Sequence, residues 1–475
     1  MRIEPPSSET ASPHLHARTL ARRWLGLAVS SLLLSGLLAL LLAAARTPFL
    51  DSLVADPLFF RRGLVVHVDL ALLVWIYACV AALFALVPAR RAPGLGARIS
   101  PAFGLAGVML LVAAAGAGGS KPVLSNYVPV IDHPLFLAGL ATFAFGVVLA
   151  FADRRLIPSS EAQRGIADLP DAARVALRTA ALAVFAALLC FAGSWVSTSR
   201  TLGPEAYYEH LFWGGGHVLQ VASVAAMCGA WLTLQQPLST REILPRRVAS
   251  LLLGALLLPA LLSPLLALQG PMSPWYRVGF TRLMQWGIFP ATLVVMVACT
   301  VALVRAKARL SDGRVLGFVT SASLTLLGFG IGAMIRGPNT MVPAHYHAAI
   351  GAVTASFMAV AYPILPRLGI RVAWPRLSRV QPVVFGIGQA IFALGFGIAG
   401  HFGMGRKVYG AEQLHRSLPE TIGLAVMGTG GLVAAVGGIA FLTIFLASWR
   451  RASAAEAAGR SEAWIPENGC TPSRS

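Results

Sequence analysis

Two histidines, His345 and His347, stand two residues apart in the apolar run from Met341 to Arg367, which is long enough to cross a bilayer. Successive helical residues are rotated by about 100°, so side chains at positions i and i+2 point about 200° apart. The two imidazoles therefore face opposite sides of one helix, where each can bind a different metal or haem iron. Ionisable side chains inside a membrane are costly and commonly functional. The alternative is two polar residues that face a pore or a helix interface.

Three further histidines lie at a similar depth in other apolar runs. His67 lies in the first turns of the run 63–88, and His210 and His217 lie near the start of the run 205–235. If the runs cross the membrane alternately, these two and the run that begins at Met341 enter from the same side. Independently buried polar residues have no reason to share a depth, whereas ligands of one site in a helical bundle do. The pattern predicts a ligand plane in the outer third of three helices.

The composition is that of a polytopic membrane protein. The 475 residues are 56% hydrophobic and 12% charged, and the mean hydropathy is +0.71. The formal net charge of +19 does not indicate nucleic-acid binding, because the basic residues lie in short loops between apolar runs. The five cysteines are scattered and form no C-x-x-C pair. Covalent haem attachment, a zinc ribbon and a disulfide framework are therefore not expected.

Twelve apolar runs predict an all-α fold with twelve transmembrane helices in one domain. Each run is long enough to span the bilayer, and alternating strand patterns are absent from the sequence. The membrane domain is expected at 24–449, between a disordered tail at 1–23 and a second tail at 450–475. The predicted runs are 24–45, 63–88, 100–118, 133–152, 175–198, 205–235, 248–268, 280–305, 315–335, 341–366, 381–403 and 420–448.

The distribution of basic residues predicts the orientation in the bilayer. If the N-terminus is cytoplasmic, most of the 38 Lys and Arg residues fall on the cytoplasmic side. The positive-inside rule therefore places both tails in the cytoplasm and the five histidines toward the outer face. Of the remaining histidines, we expect His133 to be a helix-start or loop residue, and His401 and His415 to be surface polar groups.

The histidine pattern resembles subunit I of the haem–copper oxidase superfamily, which also contains the bacterial nitric oxide reductases. The resemblance spans all twelve helices. It implies that His67 and His347 are the two axial ligands of a low-spin haem, and that His345 is the proximal ligand of a high-spin haem. A haem iron with two imidazoles suits electron transfer, whereas one with a single imidazole keeps an open face for oxygen or nitric oxide.

Two further motifs carry the resemblance. Trp213 to His217 reads WGGGH and is similar to the family's W-x-x-G-H, whose histidine ligates copper. Gly403 to Tyr409 reads GMGRKVY and is similar to the family's G-M-x-R-R-x-Y, whose paired basic residues bind haem propionates. Arg406 and Lys407 stand at those two positions. The alternative for this pair is a solvated basic loop.

The sequence departs from the family at the copper site. The segment 266–274, where the family carries two adjacent histidines, contains none, and Val221 stands where the oxidases carry a tyrosine. His210 lies two helical turns from His217, about 10 Å along the axis, and cannot easily replace them. Imidazole-rich copper sites usually need three ligands, so the resemblance implies two haems and an incomplete copper site.

The resemblance implies an oxidoreductase of the terminal oxidase type in the bacterial inner membrane. Electrons would arrive from a donor protein or from additional oxidase subunits on the outer side, and oxygen or nitric oxide would be reduced. The alternative is a degenerate haem-binding protein that serves as an electron carrier, a gas sensor or an assembly partner. A third class, a transporter without haem, leaves the shared depth of the five histidines unexplained.

Overall fold

The computed structural model describes residues 8–47, 56–89, 91–158, 169–406 and 417–457. Twelve helical units in these ranges are long and apolar enough to cross a membrane, as predicted. In each of two units, a short π-helical segment separates two consecutive α-helices. The helices are α1 (Ser8–Ala44), α2 (Pro57–Asp69), α3 (Trp75–Ala85), α4 (Leu95–Ala115), α5 (Pro134–Phe151), α6 (Asp171–Ser197), α7 (Pro204–Gln235), α8 (Arg246–Leu268), α9 (Pro274–Arg282), α10 (Phe289–Arg305), α11 (Gly313–Ala333), α12 (Met341–Ile364), α13 (Pro375–His401) and α14 (Leu418–Ala457).

The π-helical segments join consecutive helices into single membrane units. Leu70–Val74 joins α2 to α3, and Leu283–Ile288 joins α9 to α10. Such segments insert one residue into the helical ladder and often lie near functional sites. The first of them begins three residues after His67, in the unit that carries this histidine.

The helices that carry the five histidines form the centre of the bundle. In the most apolar stretch of the α2–α3 unit, of α7 and of α12, between 78% and 83% of the residues are buried. In the other nine units the buried share is 33% to 56%, because their outward faces are left for lipid. The histidines therefore lie on inner helices, where their side chains face protein.

The first helix begins at Ser8, so the prediction of a disordered tail through residue 23 was wrong for the described part of that range. Arg22 donates from Nε and from an Nη atom to the carbonyl oxygen of Leu368, at 2.9 and 2.6 Å. The neighbouring Trp24 is buried and donates to Ser100 Oγ at 3.1 Å. These tertiary contacts stabilise helical turns that look too polar for a membrane span. At the other end of the chain, α14 continues to Ala457.

A short hairpin closes the connection between α4 and α5. Strand β1 (Lys121–Val123) pairs antiparallel with β2 (Val130–Asp132), with Lys121 opposite Asp132. Arg62 of α2 donates to the carbonyl of Ser120, and Tyr208 of α7 donates to the Asp132 carboxylate at 2.7 Å. The hairpin is thus attached to two of the histidine-bearing helices.

Candidate functional site

His67 is held by α1. Its Nδ1 atom lies 2.9 Å from the carbonyl oxygen of Ser35, and the Ser35 hydroxyl donates to the carbonyl of His67 at 3.1 Å. Because a carbonyl oxygen can only accept, Nδ1 carries the ring proton. In a neutral imidazole, Nε2 then keeps a free lone pair.

His347 is held by α13. Its Nδ1 lies 3.4 Å from the amide oxygen of Gln389, and its ring packs on Phe392 with a centroid distance of 4.2 Å. His67 lies close enough to interact electrostatically with His347. The two residues that were predicted to share one haem are therefore near each other, although they are distant in the sequence.

His345 faces the opposite direction, toward α11. Its Nδ1 lies 2.7 Å from the carbonyl oxygen of Gly328. A Cβ atom at Gly332, one turn later, would lie 2.8 Å from the same nitrogen. The prediction that the two histidines of α12 face different neighbours is confirmed, because one contacts α11 and the other α13.

These three histidines fit haem iron by their donor chemistry. All three are half-buried, and within the described residues their rings make hydrogen bonds through Nδ1. A ligating histidine ordinarily donates its other ring N–H to a carbonyl or carboxylate, which fixes the tautomer and the ring orientation. His67, His345 and His347 each show that arrangement.

His217 differs from the other three, because both of its nitrogens are engaged. Its Nδ1 lies 2.7 Å from the carbonyl oxygen of Trp213, and its Nε2 lies 2.8 Å from the hydroxyl of Tyr127. The Trp213 carbonyl can only accept, so Nδ1 is the donor and Tyr127 donates to Nε2. The rings of Tyr127, Trp213 and Phe280 surround the imidazole, with centroids 4.5, 4.9 and 5.9 Å away.

The glycines of the WGGGH motif make room for aromatic side chains. A Cβ at Gly216 would lie 2.3 Å from Cβ of Tyr127, and one at Gly215 would lie 2.3 Å from the ring of Phe191. The Tyr127 ring therefore reaches His217 only because residue 216 has no side chain. We did not predict Tyr127 from the sequence. The three consecutive glycines were the available signal that other side chains pack on this helix.

The backbone at Tyr127 is strained. Its φ is +66°, and the N–H of Val128 donates to the carbonyl of Asn126 at 2.8 Å, which makes Tyr127 the centre of a γ-turn. The side chain and N–H of Asn126 both donate to the carboxylate of Glu209 in α7. Burial, followed by nearby Tyr346 and Glu209, raises the pKa of Tyr127 well above its ordinary value. The hydroxyl is therefore protonated at neutral pH.

The residues around His217 do not fit a copper ion. Within the described ranges, no group of three His, Cys, Asp or Glu side chains could hold a metal. Gln269 is exposed at the end of α8, and Val221 is buried and apolar. His210 lies two helical turns before His217 on α7, and its backbone carbonyl accepts from the Tyr276 hydroxyl at 3.0 Å.

Arg406 lies beside the start of α12. The preceding Gly405 pairs with Asn339, and the carbonyl of Met404 accepts from the N–H of Thr340 at 2.9 Å. Arg46 donates to the carbonyl of Arg406 at 3.3 Å. The Arg46 guanidinium also interacts electrostatically with His347. Arg46 was not predicted as a site residue, because it lies at the end of α1, far from the motifs.

The remaining predicted residues are placed as follows. His133 caps α5, and its Nδ1 accepts from the N–H of Leu135 at 3.2 Å, which confirms that it begins a helix. His401 is exposed at the end of α13. Lys407 and His415 lie outside the described residues. Glu209 lies in the first turns of α7, which begins at Pro204.

The bundle and its histidines define a polytopic membrane protein with the fold of terminal oxidases. A heme-copper terminal oxidase dimer solved by cryo-electron microscopy superposes with a TM-score of 0.73, covering 90% of this chain and 84% of that chain. The two sequences are 16% identical, so this likeness concerns the fold. The family model described as cytochrome c and quinol oxidase polypeptide I matches residues 19–440. The chain belongs to that family.

Two bacterial relatives have similar sequences. An uncharacterized protein of Aquifex aeolicus (strain VF5) is 31% identical over 352 residues, which cover 73% of this chain and 84% of the relative. An uncharacterized protein of Rickettsia prowazekii (strain Madrid E) is 25% identical and covers 90% of this chain and 96% of the relative. Neither name assigns a reaction.

Proposed function

We propose that this chain is the haem-carrying subunit of a respiratory membrane oxidoreductase that reduces oxygen, with nitric oxide as the alternative substrate. Membership of the oxidase subunit I family supports the class. The observation that carries the proposal is the arrangement of His67, His345 and His347. In each of them, Nδ1 lies within hydrogen-bond distance of an oxygen acceptor on a neighbouring helix. Nε2 is therefore the nitrogen that remains for a haem iron.

In this proposal, His67 and His347 would together hold one haem, and His345 would hold a second haem. When bound, the first haem supplies one-electron transfer and the second supplies an open coordination position for a gas. Ser35, Gly328 and Gln389 orient the three rings and raise the basicity of the ligands. Helix α12 would carry a ligand for each haem, since His345 faces α11 and His347 faces α13.

Arg406 is proposed to bind a haem propionate, since its guanidinium matches a carboxylate in charge and in geometry. Lys407 is proposed for the same role from the motif. We place this end of the bundle at the outer face of a bacterial inner membrane, with both termini in the cytoplasm, because of the positive-inside distribution. A donor protein or further oxidase subunits would deliver electrons there.

A second candidate is a haem protein of the same fold that carries electrons, senses a gas or assists assembly without oxidase turnover. The observation that favours it is the engagement of both nitrogens of His217, which leaves the copper position incomplete. Oxygen uptake by the purified protein with a reduced donor separates the two candidates. Uptake supports the oxidase, whereas two haems without uptake support the second candidate.

The test of the haem assignments is a reduced-minus-oxidised spectrum, recorded with and without carbon monoxide. We expect a carbon-monoxide-sensitive haem that is lost in His345→Ala while the low-spin signal remains. In His67→Ala, the low-spin signal should be lost while the carbon-monoxide-sensitive haem remains. His401→Ala, an exposed histidine on α13, serves as the control and should match the wild type. A purified chain without a Soret band would overturn the proposal.

A further inference from the structure

The hydroxyl of Tyr127 lies on the nitrogen of His217 that a second metal would need. The Nε2–hydroxyl distance of 2.8 Å is an ordinary hydrogen bond, and Nδ1 is occupied by the Trp213 carbonyl. A metal at this point would have to displace the tyrosine first. In the described part of the chain, the rings of Trp213 and Phe280 lie beside the imidazole, so the metal would contact aromatic rings instead of further ligands.

The tyrosine is built into this position by several independent contacts. Gly216 leaves the space for its ring, and Trp213 packs edge-on against it at 5.8 Å. Asn126 on one side is bonded to the Glu209 carboxylate, and Ser125 donates to the carbonyl of Val128 at 2.6 Å on the other. A γ-turn at positive φ is unfavourable for tyrosine and persists only where the surroundings impose it. The hairpin therefore holds Tyr127 on His217 against a backbone preference.

The pair also connects to helix α12. The ring centroids of Tyr127 and Tyr346 lie 6.4 Å apart. Tyr346 stands between His345 and His347 in sequence, and its ring lies 5.8 Å from that of His345. The hydroxyl of Tyr127 is thus one side chain away from the histidine that is proposed to hold the gas-binding haem.

We propose that Tyr127 and His217 take the place of a second metal, so that the pocket beside His345 contains one haem iron and a tyrosine hydroxyl. The inference rests on the proposed function for the haem on His345. The polar group of this pocket is then a neutral hydroxyl, which donates its proton to His217 Nε2, instead of a cation. A small gas bound in that pocket would meet the Tyr127 hydroxyl.

The first experiment counts metals in the full-length protein, purified in detergent from cells grown with added copper and iron. Total iron, copper and zinc are measured by mass spectrometry, and haem is measured separately as the pyridine complex. We expect total iron to equal haem iron, with no copper or zinc above the level of His217→Ala. Stoichiometric copper, zinc or non-haem iron that is lost in His217→Ala would overturn the inference. Absence of haem would instead overturn the proposed function.

The second experiment tests the position of the hydroxyl through the infrared stretching band of carbon monoxide on the reduced protein. Tyr127→Phe keeps the ring in the space at Gly216 and removes only the hydroxyl. We expect its carbon monoxide band to shift from that of the wild type. Tyr207→Phe, a tyrosine near the start of the same α7, is the matched control and should leave the band in place. An unshifted band in Tyr127→Phe, with haem content retained, would show that the hydroxyl does not face the pocket.

Discussion

The Nδ1 atom of His345 in α12 lies 2.7 Å from the carbonyl oxygen of Gly328 in α11. The close approach of the two helices is what permits this contact, since a Cβ at Gly328 would lie 3.1 Å from the backbone nitrogen of Ala349. The orientation of the His345 ring therefore depends on α11 as much as on α12. Substitutions on α11 can therefore change the orientation of the His345 ring, although they lie on a different helix.

Gly332→Ala should displace the His345 ring. The new methyl group would lie 2.8 Å from Nδ1, and overpacking of this kind typically costs about 1–3 kcal/mol. We expect reduced occupancy of the carbon-monoxide-binding haem, measured as the ratio of its signal to the low-spin signal. Gly330→Ala is the matched control on the same helix, because a Cβ there meets nothing within 4 Å. Equal ratios in the two variants would contradict the assignment.

Gln389→Leu should weaken the ligand His347. The substitution removes the acceptor that lies 3.4 Å from Nδ1, and loss of such an outer partner typically weakens metal binding by about 10-fold or more. We expect faster loss of the low-spin haem to a haem-scavenging protein, with the carbon monoxide signal unchanged. Ile387→Ala, an exposed side chain on the same helix, should retain haem like the wild type.

Arg406→Gln should weaken haem retention without loss of either axial signal. A hydrogen bond to a charged group is worth about 2 kcal/mol, and Gln cannot supply the charge. Arg46 donates to the backbone carbonyl of Arg406, so the loop itself should stay in place. The measurement is haem dissociation at several salt concentrations. Arg336→Gln, an exposed arginine before α12, should show wild-type rates, and a similar loss in both variants would indicate a general charge effect.

Asp312→Ala should destabilise the start of α11 in a pH-dependent manner. Asp312 accepts from the N–H of Arg314 at 2.8 Å, and loss of such a cap typically costs about 1 kcal/mol. The hydrogen bond from the Arg314 side chain lowers the pKa of Asp312 below its ordinary value. The ionic part of the stabilisation is therefore present above the pKa of the unfolded chain and is lost as the pH falls through the lower folded value.

Thermal unfolding in detergent between neutral and acidic pH measures this effect. The difference between wild type and Asp312→Ala should shrink as the pH falls. Asp312→Asn, which keeps a capping oxygen but has no charge, is the control and should show a smaller loss at neutral pH. A difference that stays constant across the range would mean that the carboxylate charge makes no contribution.

Local properties of the chain were sufficient to predict the membrane architecture. A span requires only a sufficiently long apolar run, so all twelve were found from composition along the sequence. The opposed directions of His345 and His347 also follow from local geometry, because side chains two positions apart on a helix point about 200° apart. The start of α1 was misplaced, since Arg22 and Trp24 are stabilised by contacts with segments distant in sequence.

The chain alone therefore determined which helices are long and apolar enough to cross the membrane, and it predicted that five histidines share a depth. Only the tertiary structure decided what each histidine contacts. Ser35, Gly328 and Gln389 reach the rings from three other helices, and no spacing rule connects them to their partners. The same holds for Tyr127, whose strained turn reaches His217 across the space left by Gly216. Contacts between distant segments depend on how the helices pack together, and the pattern within one segment does not contain that information.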